Sequence, residues 1–217
     1  MGCRTRVMGN RHGKENSVGR GNLSFTSINL VKLALQSNSI VQFYDKLDKM
    51  CDIAIRQLID RYKYQAQKKA SQFLFLYTQG VWIDSENIKE DQLVGELLKQ
   101  GTLSIGFIGL AECVKALTGS HHGENEDSYK LAYEIVSFMR KKADKAADEF
   151  DMNFSLIATP AEGLSGKFVK RDSIEFGGIK GVTDRSYYTN SFHIPVHYPI
   201  RAVEKIEKEA PFHELCN

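Results

Sequence analysis

A cysteine that could do chemistry lies near the beginning of the chain, between a glycine and an arginine. The stretch reads Gly2-Cys3-Arg4-Thr5-Arg6. The following loop, residues 9–16, is dense in turn-forming residues. We expect it to fold back like a finger and to bring Cys3 close to the segment 19–29. The alternative is a simple hairpin that carries a surface thiol.

The segment after this loop alternates apolar and small polar residues from Leu23 to Leu30, which predicts a strand. Four polar side chains in and beside it could present hydrogen-bonding groups to a ligand. They are Asn22, Ser24, Thr26 and Asn29.

A glycine-rich stretch, residues 101–109, predicts a strand that opens directly into a helix over residues 110–117. Its glycines would let another backbone or a ligand approach closely. The stretch matches neither the dinucleotide fingerprint nor a phosphate loop with its lysine. Glu112 and Cys113 could face a site from the beginning of this helix; the alternative is an ordinary packing turn between strand and helix.

A second candidate ligand segment follows the short apolar strand predicted over residues 153–158. Thr159-Pro160-Ala161-Glu162-Gly163 places small residues directly after a strand end. Exposed backbone N–H groups in this position are where α/β folds bind ligands. Glu162 is an isolated acid there, and a solvated turn residue is its alternative interpretation.

Histidines offer two further possibilities. His121, His122 and Glu124 could bind a metal, but adjacent residues rarely converge on one ion, so we predict no metal site. His193 could act as a base or a hydrogen-bonding group. Without a visible partner in the sequence, a structural histidine is the favoured interpretation.

Composition excludes several classes of protein. The 217 residues are 42% hydrophobic and 26% charged, as in a globular protein, and the net charge of +2 is too small to argue for nucleic acid or an anionic membrane. No apolar run approaches the roughly 20 residues of a membrane span, and no secretory signal is visible. The four cysteines form no C-x-x-C pair, so neither a zinc site nor a disulfide framework is indicated. We therefore expect a reducing cytoplasm.

The elements that must position these residues alternate between strands and helices. Ser39 and Gln42 have capping-box spacing and predict the beginning of a long helix, whose apolar stripe includes Cys51 as a packing residue. Asn125 predicts the beginning of a second long helix that runs to about Phe150. Long helical connections are what parallel strands require, so the pattern predicts one α/β unit.

The remaining segments give weaker patterns. We predict an irregular connector or short strand over residues 71–84, with an exposed aromatic patch as a less favoured alternative. We also predict a short helix over residues 90–100, a loop-rich excursion over 168–181, a strand-like segment over 187–196 and a short helix over 203–209.

With these stretches identified, the chain resembles the anaerobic, class III ribonucleoside-triphosphate reductases, which are glycyl-radical enzymes. The resemblance extends over essentially the whole chain. Six segments support it; each is weak evidence alone, but together they occur in the order and at the intervals that are typical of the family. They are Met1-Gly2-Cys3-Arg4-Thr5, Gly19-Arg20-Gly21-Asn22-Leu23, residues 101–110, His121-His122-Gly123-Glu124, residues 158–166 and residues 181–191. The resemblance implies an α/β fold that is part of a ten-stranded barrel with a finger loop threaded through its centre.

The resemblance also implies roles for individual residues. Cys3 corresponds to the finger-loop cysteine, which becomes a thiyl radical and abstracts the 3′-hydrogen of the substrate ribose. Asn22 matches the active-site asparagine that contacts the ribose. Thr159 and Glu162 lie in the segment that would help to hold substrate phosphates.

The implied whole is larger than this chain. Residues 1–217 would form a partial catalytic barrel with the finger loop at 1–22, and we expect no bound cofactor in this segment. The glycyl radical, installed by an S-adenosylmethionine iron–sulfur activase, the structural zinc and the N-terminal regulatory domain would lie elsewhere. Expected partners are a ribonucleoside triphosphate, the remaining reductase portions, the activase and a second copy in a homodimer, without membrane or nucleic acid.

Two functional hypotheses follow. The first is a segment of a cytoplasmic reductase that uses formate or thiols as its reductant. In that case the chain is a fragment or split product that we expect to be inactive by itself. The second is a catalytically inactive α/β scaffold or ligand-binding remnant.

Overall fold

The structure of the chain, a computed structural model, describes residues 9–77 and 79–216. The described residues contain one three-stranded parallel sheet in the order β1-β2-β3. The strands are β1 (Asn22–Asn29), β2 (Thr102–Ile108) and β3 (Asn153–Ala158). Ser24 to Asn29 pair with Leu103 to Ile108, and an irregularity at Leu23 shifts the register between Asn22 and Ser24.

The helices of the described residues lie between the strands and after β3. They are α1 (Leu30–Leu35), α2 (Ile40–Ala66), α3 (Leu74–Tyr77), α4 (Gly95–Leu98), α5 (Leu110–Thr118), α6 (Glu126–Phe150), α7 (Gly163–Phe176) and α8 (Ala202–Leu215). Helix α2 packs against β1 and α6 packs against β3. Leu103, Ile105 and Phe107 of β2 point toward these helices and are fully buried. The apolar helix-facing side of the sheet therefore supplies the main core.

The opposite face of the sheet is built largely from small and polar residues. Thr102, Ser104 and Gly106 alternate along β2 with the core-facing residues, and Ser104 is fully buried. Parallel sheets normally bury apolar residues on both faces. On this face, side-chain hydrogen bonds between neighbouring strands take the place of apolar packing.

The capping signals read from the sequence are confirmed. Ser39 Oγ accepts a hydrogen bond of 3.1 Å from Gln42 N at the beginning of α2. The reciprocal bond is displaced by one residue, because Gln42 Oε1 accepts from Asn38 N. At α6, Asn125 Oδ1 accepts from Ser128 N at 2.8 Å.

The loop-rich prediction for residues 168–181 is wrong for residues 168–176, which belong to α7. The inward face of α7 presents Ser165, Val169 and Asp172. Asp172 is 1% exposed. Its carboxylate tolerates this burial because it accepts hydrogen bonds from Tyr188 Oη at 2.8 Å and from Asn29 Nδ2 at 2.7 Å. A buried carboxylate at a core position interrupts the apolar period, and this hid the helix.

Four other segments differ from their predictions. The segment 187–196 makes a single isolated bridge, Ile108 with Asn190, instead of a strand. Helix α8 runs past the predicted end at Glu209 to Leu215, with Pro211 inside it. Only Gly95–Leu98 is helical within 90–100, and the connector after residue 70 forms short helical turns.

The described part of the N-terminal loop packs across the beginnings of β2 and β3. Arg11 N donates to Asn153 Oδ1 at 2.9 Å, and Asn153 Nδ2 donates to Asn10 Oδ1 at 3.2 Å. Arg20 Nε donates to Gln100 O at 2.7 Å. The described part of the loop therefore packs against the residues at the beginnings of β2 and β3. The prediction that the loop brings Cys3 close to the segment 19–29 stays a prediction, because Cys3 lies outside the described residues.

Candidate functional site

Asn22 lies at the beginning of β1, where a row of polar side chains crosses the three strands. Its Nδ2 donates to Ser104 Oγ at 2.6 Å, and Ser104 Oγ lies 2.9 Å from Ser155 Oγ. Asn22 Oδ1 and Thr102 Oγ1 are buried and have no hydrogen-bond partner among the described residues. An acceptor left unpaired in a buried position is a natural contact for a ligand hydroxyl.

The other polar positions of β1 are occupied by protein contacts. Arg61 Nη1 of α2 donates to Ser24 Oγ at 2.9 Å and to Thr26 Oγ1 at 3.3 Å. Asn29 Oδ1 caps α1, and Asn29 Nδ2 donates to Asp172. Of the four candidates in this stretch, Asn22 alone retains a buried group without a partner among the described residues.

Thr159 directly follows β3 and is buried. Its Oγ1 lies 2.9 Å from Ser27 Oγ of β1, across the glycine at position 106. A Cβ on Gly106 would lie 2.0 Å from Thr159 Oγ1, so only glycine leaves room for this hydroxyl pair. Gly106 therefore does admit a close approach, but the occupants are side chains of this chain and not the backbone or ligand that the sequence suggested.

The side-chain groups of Asn22 and Thr159 lie near each other on the polar face of the sheet, although their backbones do not. Asn22 pairs with Thr102, and Thr159 lies six residues beyond Asn153, the partner of Thr102, so the two Cα positions are roughly 20 Å apart along the strands. However, Asn22 Nδ2 bonds to Ser104 Oγ, and Thr159 Oγ1 lies 2.0 Å from the Cβ position of Gly106. Positions 104 and 106 share one face of β2 and are roughly 7 Å apart, so a single ligand can reach both side chains.

Glu162 is the residue before α7 and lines a cavity of about 590 Å³. This cavity lies beyond the carboxyl ends of β2 and β3, because residues 189–191 bond to the backbone at Gly109 and Leu110. Its other walls come from the segment 185–197 and from α8. Open α/β sheets bind ligands at this end of their strands.

Glu112 is the deepest charged group in this region. It lies in the first turn of α5 and is 6% exposed. Its Oε1 accepts from Thr189 N at 2.9 Å and from Thr189 Oγ1 at 2.7 Å. Burial raises the pKa of the Glu112 carboxyl, although the two bonds from Thr189 oppose that shift. The sequence suggested that Glu112 could face a site, and the cavity lining agrees.

His193 has the partner that the sequence did not reveal. Its Nδ1 lies 3.0 Å from Glu209 Oε2 of α8, and Lys205 Nζ also bonds to Glu209. Burial alone would raise the pKa of Glu209, but the hydrogen bonds from His193, Lys205 and Ile194 N lower it to about 2. Glu209 and Lys205 could not be predicted as site residues, because nothing local in α8 distinguishes them from surface charges.

The two adjacent histidines are engaged in the protein interior. His122 is fully buried, its Nε2 lies 2.8 Å from Phe192 O, and burial lowers its pKa to about 4. His121 Nδ1 accepts from Gly123 N at 3.0 Å. Across the described residues, no group of three or more His, Cys, Asp and Glu side chains is arranged to hold a metal ion.

Three cysteines lie within the described part of the chain, and all are free and buried. Burial raises the pKa of Cys51 and of Cys216 to about 12, and raises that of Cys113 well above its ordinary value. Thiols in such surroundings are poor nucleophiles. The interpretation of Cys51 as a packing residue is confirmed.

Comparison with known proteins identifies relatives over the full chain. A family model for the anaerobic ribonucleoside-triphosphate reductases matches residues 1–217. The enzyme of that name from Salmonella typhimurium is 36% identical over 223 residues, covering 100% of this chain and 31% of the relative. The corresponding protein of enterobacteria phage T4 is 33% identical, with 35% of its length covered. The chain thus spans about a third of the length of the curated relatives it matches.

Solved structures agree on the fold. The anaerobic ribonucleotide reductase of Thermotoga maritima with glycerol in its active site superposes with a TM-score of 0.68 at 15% identity, covering 99% of this chain and 33% of that one. The same enzyme in complex with dATP and CTP gives 0.70 at 16% identity over 91% of this chain. The predicted fold, part of an α/β barrel of this type, is confirmed. From its first residue to its last, this chain belongs to the anaerobic ribonucleoside-triphosphate reductase family.

Proposed function

We propose that this chain is the part of an anaerobic ribonucleotide reductase that carries the radical cysteine and one side of the substrate site. The reaction is the reduction of ribonucleoside triphosphates to deoxyribonucleoside triphosphates. The observation that carries the proposal is the family match over all 217 residues. A solved neighbour bound to dATP and CTP supports a nucleotide as the ligand.

Cys3 is the proposed catalytic residue. Its thiyl radical abstracts the 3′-hydrogen of the ribose, and the two bonds exchanged are similar in strength, so the step is reversible. The 2′-hydroxyl then leaves as water, and its net replacement by hydrogen consumes two electrons. Formate, oxidised to carbon dioxide, or a pair of thiols, oxidised to a disulfide, supplies them. Return of the hydrogen to C3′ regenerates the thiyl radical.

Asn22 is the proposed ribose contact. Its buried Oδ1 has no partner among the described residues, while Nδ2 is held by Ser104. The fixed amide therefore offers one acceptor to a ribose hydroxyl without needing to reorient. This support is geometric and does not depend on the family resemblance.

Thr159 and Glu162 are the proposed phosphate-side residues. They flank the beginning of α7, a 14-residue helix whose first N–H groups are the ordinary place for a phosphate. Both residues follow β3 and so lie nearer the carboxyl ends of the strands than Asn22, which begins β1. A nucleotide lying along the strands would place its ribose at Asn22 and its phosphates at this segment. Substitutions at Asn22 should therefore lower the rate of the ribose chemistry, and those at Thr159 should lower nucleotide affinity.

The remaining components are proposed to lie in other portions of the reductase. These are the glycyl radical and its S-adenosylmethionine iron–sulfur activase, the structural zinc, the regulatory domain and the homodimer contact. We propose a cytoplasmic location for the assembly. No helix in the described residues is long and apolar enough to cross a membrane.

Replacement of the radical cysteine provides the direct test. In the intact reductase that contains this chain, Cys3→Ser should abolish deoxynucleotide formation while nucleotide binding stays near that of the unmodified protein, since a hydroxyl cannot take part in this hydrogen exchange. Turnover by chromatography and binding by calorimetry are the measurements. Cys216→Ala is the matched control, because Cys216 is buried and its burial raises the pKa of its thiol to about 12. Turnover by the serine variant would remove Cys3 from the mechanism.

A further inference from the structure

The loop between Cys3 and Asn22 joins the two residues that the proposed mechanism uses, so its placement on the sheet matters for the chemistry. Its described part, residues 9–21, contains neither a helix nor a strand, and most of these residues are exposed. Contacts with other elements must therefore hold this part of the loop in place.

Two buried amide side chains at the beginnings of β2 and β3 receive the loop. Gln100, two residues before β2, is 5% exposed, and Asn153, the first residue of β3, is 6% exposed. Asn10 of the loop lies between them. Its Nδ2 donates to Gln100 Oε1 at 3.1 Å, and its Oδ1 accepts from Asn153 Nδ2 at 3.2 Å.

This chain of amides can be hydrogen-bonded in only one direction. At one end, Gln100 Nε2 donates to Asp84 Oδ2, and a carboxylate can only accept. At the other end, Asn153 Oδ1 accepts from Arg11 N, and Asn153 Nδ2 also donates to two backbone carbonyl oxygens. Because both ends are fixed, no amide in the chain can turn over without losing a bond, and Asn10 has one orientation.

Gly13 leaves room for the bond between Asn10 and Gln100. A Cβ at position 13 would lie 2.5 Å from Gln100 Oε1 and 2.9 Å from Asn10 Nδ2, the two atoms that the bond joins. Both atoms are at the ends of side chains, and Gly13 does not have a positive φ. An added methyl group would therefore separate the two amides without straining the backbone.

The end of the loop is fixed at the same place as its beginning. Arg20 Nε donates to Gln100 O at 2.7 Å, and Gly21 O accepts from Thr102 N at 3.0 Å. Gln100 thus holds Asn10 with its side chain and Arg20 with its backbone oxygen.

We propose that Asn10 and Gln100 are positioning residues for the radical chemistry, because their hydrogen bond holds the loop where Cys3 and Asn22 can act on the same ribose. The inference rests on the proposed function of these two residues. Hydrogen transfer depends steeply on placement, and a misplacement of about 1 Å can cost roughly 100-fold in rate. Nucleotide affinity depends on other groups and does not require this bond.

The test measures kcat and KM for CTP on the intact reductase that contains this chain. Asn10→Ala removes the loop amide, and Gly13→Ala separates it from Gln100. Each should lower kcat at least about tenfold and leave KM within about twofold. The deuterium isotope effect on kcat with 3′-deuterated CTP should rise in both variants, because hydrogen abstraction becomes the slow step.

Non-additivity and a matched control sharpen the comparison. The double variant at positions 10 and 13 should lose little more than Asn10→Ala alone, since both substitutions break the same bond. Asn16→Ala is the control: Asn16 is exposed in the same loop, and its side chain makes no hydrogen bond within the described residues. This variant should keep the kcat, KM and isotope effect of the unmodified protein.

Hydrogen–deuterium exchange of residues 9–21 examines the hold on the loop independently of activity. Exchange should be faster in Asn10→Ala and Gly13→Ala and unchanged in Asn16→Ala. The proposal is overturned if exchange accelerates while kcat is unchanged, if exchange does not accelerate, or if the loss appears in KM instead of kcat. Turnover by Cys3→Ser would refute the proposed function instead, and the exchange data would still show whether the amides hold the loop.

Discussion

Within the described residues, the side-chain amide of Asn22 has one bonded atom, Nδ2, and one atom without a partner, Oδ1. The roles of the two atoms can therefore be tested by separate substitutions. Ser104 holds Nδ2, and Oδ1 is the group proposed to meet the ribose. Asn22→Ala should lower kcat/KM of the intact reductase by about 1–3 kcal/mol in transition-state terms, or roughly 5- to 150-fold, because a hydrogen bond in a dry site is lost.

The control variant for Asn22→Ala is a substitution of Ser104, whose hydroxyl accepts the hydrogen bond from Asn22 Nδ2. Ser104→Ala removes the acceptor of Nδ2 but leaves Oδ1 in place, so it should cost less in kcat/KM than Asn22→Ala. Equal losses for both variants would show that the asparagine acts only through the polar row on the sheet. Unchanged kinetics for Asn22→Ala would make it a purely structural residue.

His122 predicts a dependence of stability on pH. Its pKa is about 4 in the folded protein and about 6.5 when unfolded, so the unfolded state binds more protons between these values. The stabilisation is fully present above pH 6.5 and is lost as pH falls through 4. The full difference is on the order of 3 kcal/mol.

Denaturant unfolding of the intact reductase between pH 7 and pH 4 measures how its unfolding free energy depends on pH. His122→Gln should flatten the dependence of the unfolding free energy on pH, since an amide can bond to Phe192 O without titrating. Parallel curves for His122→Gln and the unmodified protein would contradict the assignment.

At the scale of elements, the spacing of the three strands depends on Gly106. Gly106→Ala would place a Cβ 2.0 Å from Thr159 Oγ1 and 2.9 Å from Ser27 Oγ. Overpacking of this kind typically costs about 1–3 kcal/mol. The substitution should therefore lower the unfolding free energy by that amount in thermal or denaturant melts.

A double-mutant cycle identifies the cause of that loss. Thr159→Ala removes the hydroxyl that the new methyl group would meet, so the double variant should recover part of the stability lost in Gly106→Ala. Gly163→Ala is the control, because a Cβ there meets nothing within 4 Å. Strictly additive losses at positions 106 and 159 would place the strain elsewhere.

The elements that sequence alone predicts are those whose signals are local. The cap at Ser39, the cap at Asn125 and the glycine-rich strand β2 depend on residues within a few positions of each other. Helix α7 was missed because a charged residue, Asp172, occupies a position that faces the interior. Its hydrogen-bond partners Tyr188 and Asn29 lie too far away in the sequence to be recognised. The cavity around Glu112 was visible only as one suggestive acid, because its partner Thr189 lies 77 positions away.

The whole molecule is asymmetric about its sheet. Helices cover one face, and the other presents the polar row from Asn22 through Ser104 to Ser155. Within the described residues, β1 and β3 each have only one neighbouring strand. A parallel sheet with two unpaired edges and a polar face is the geometry of a barrel segment, and it agrees with the likeness to about a third of a solved reductase.

These unpaired edges predict how the 217-residue chain behaves by itself. Each edge presents unpaired backbone N–H and C=O groups that invite pairing with another chain, and Phe25 of β1 is 52% exposed beside one of them. We expect the isolated chain to aggregate or form oligomers, and to make no deoxynucleotide, because the proposed radical generator belongs to other portions of the reductase.

Gel filtration with light scattering measures the association state of the isolated chain, and thermal unfolding measures its cooperativity. Phe25→Lys should reduce association by placing a charge at the edge, whereas Ile174→Lys, at a 78% exposed position on α7, should not. A monomer with one sharp cooperative transition, or measurable deoxynucleotide from the chain alone, would contradict the prediction.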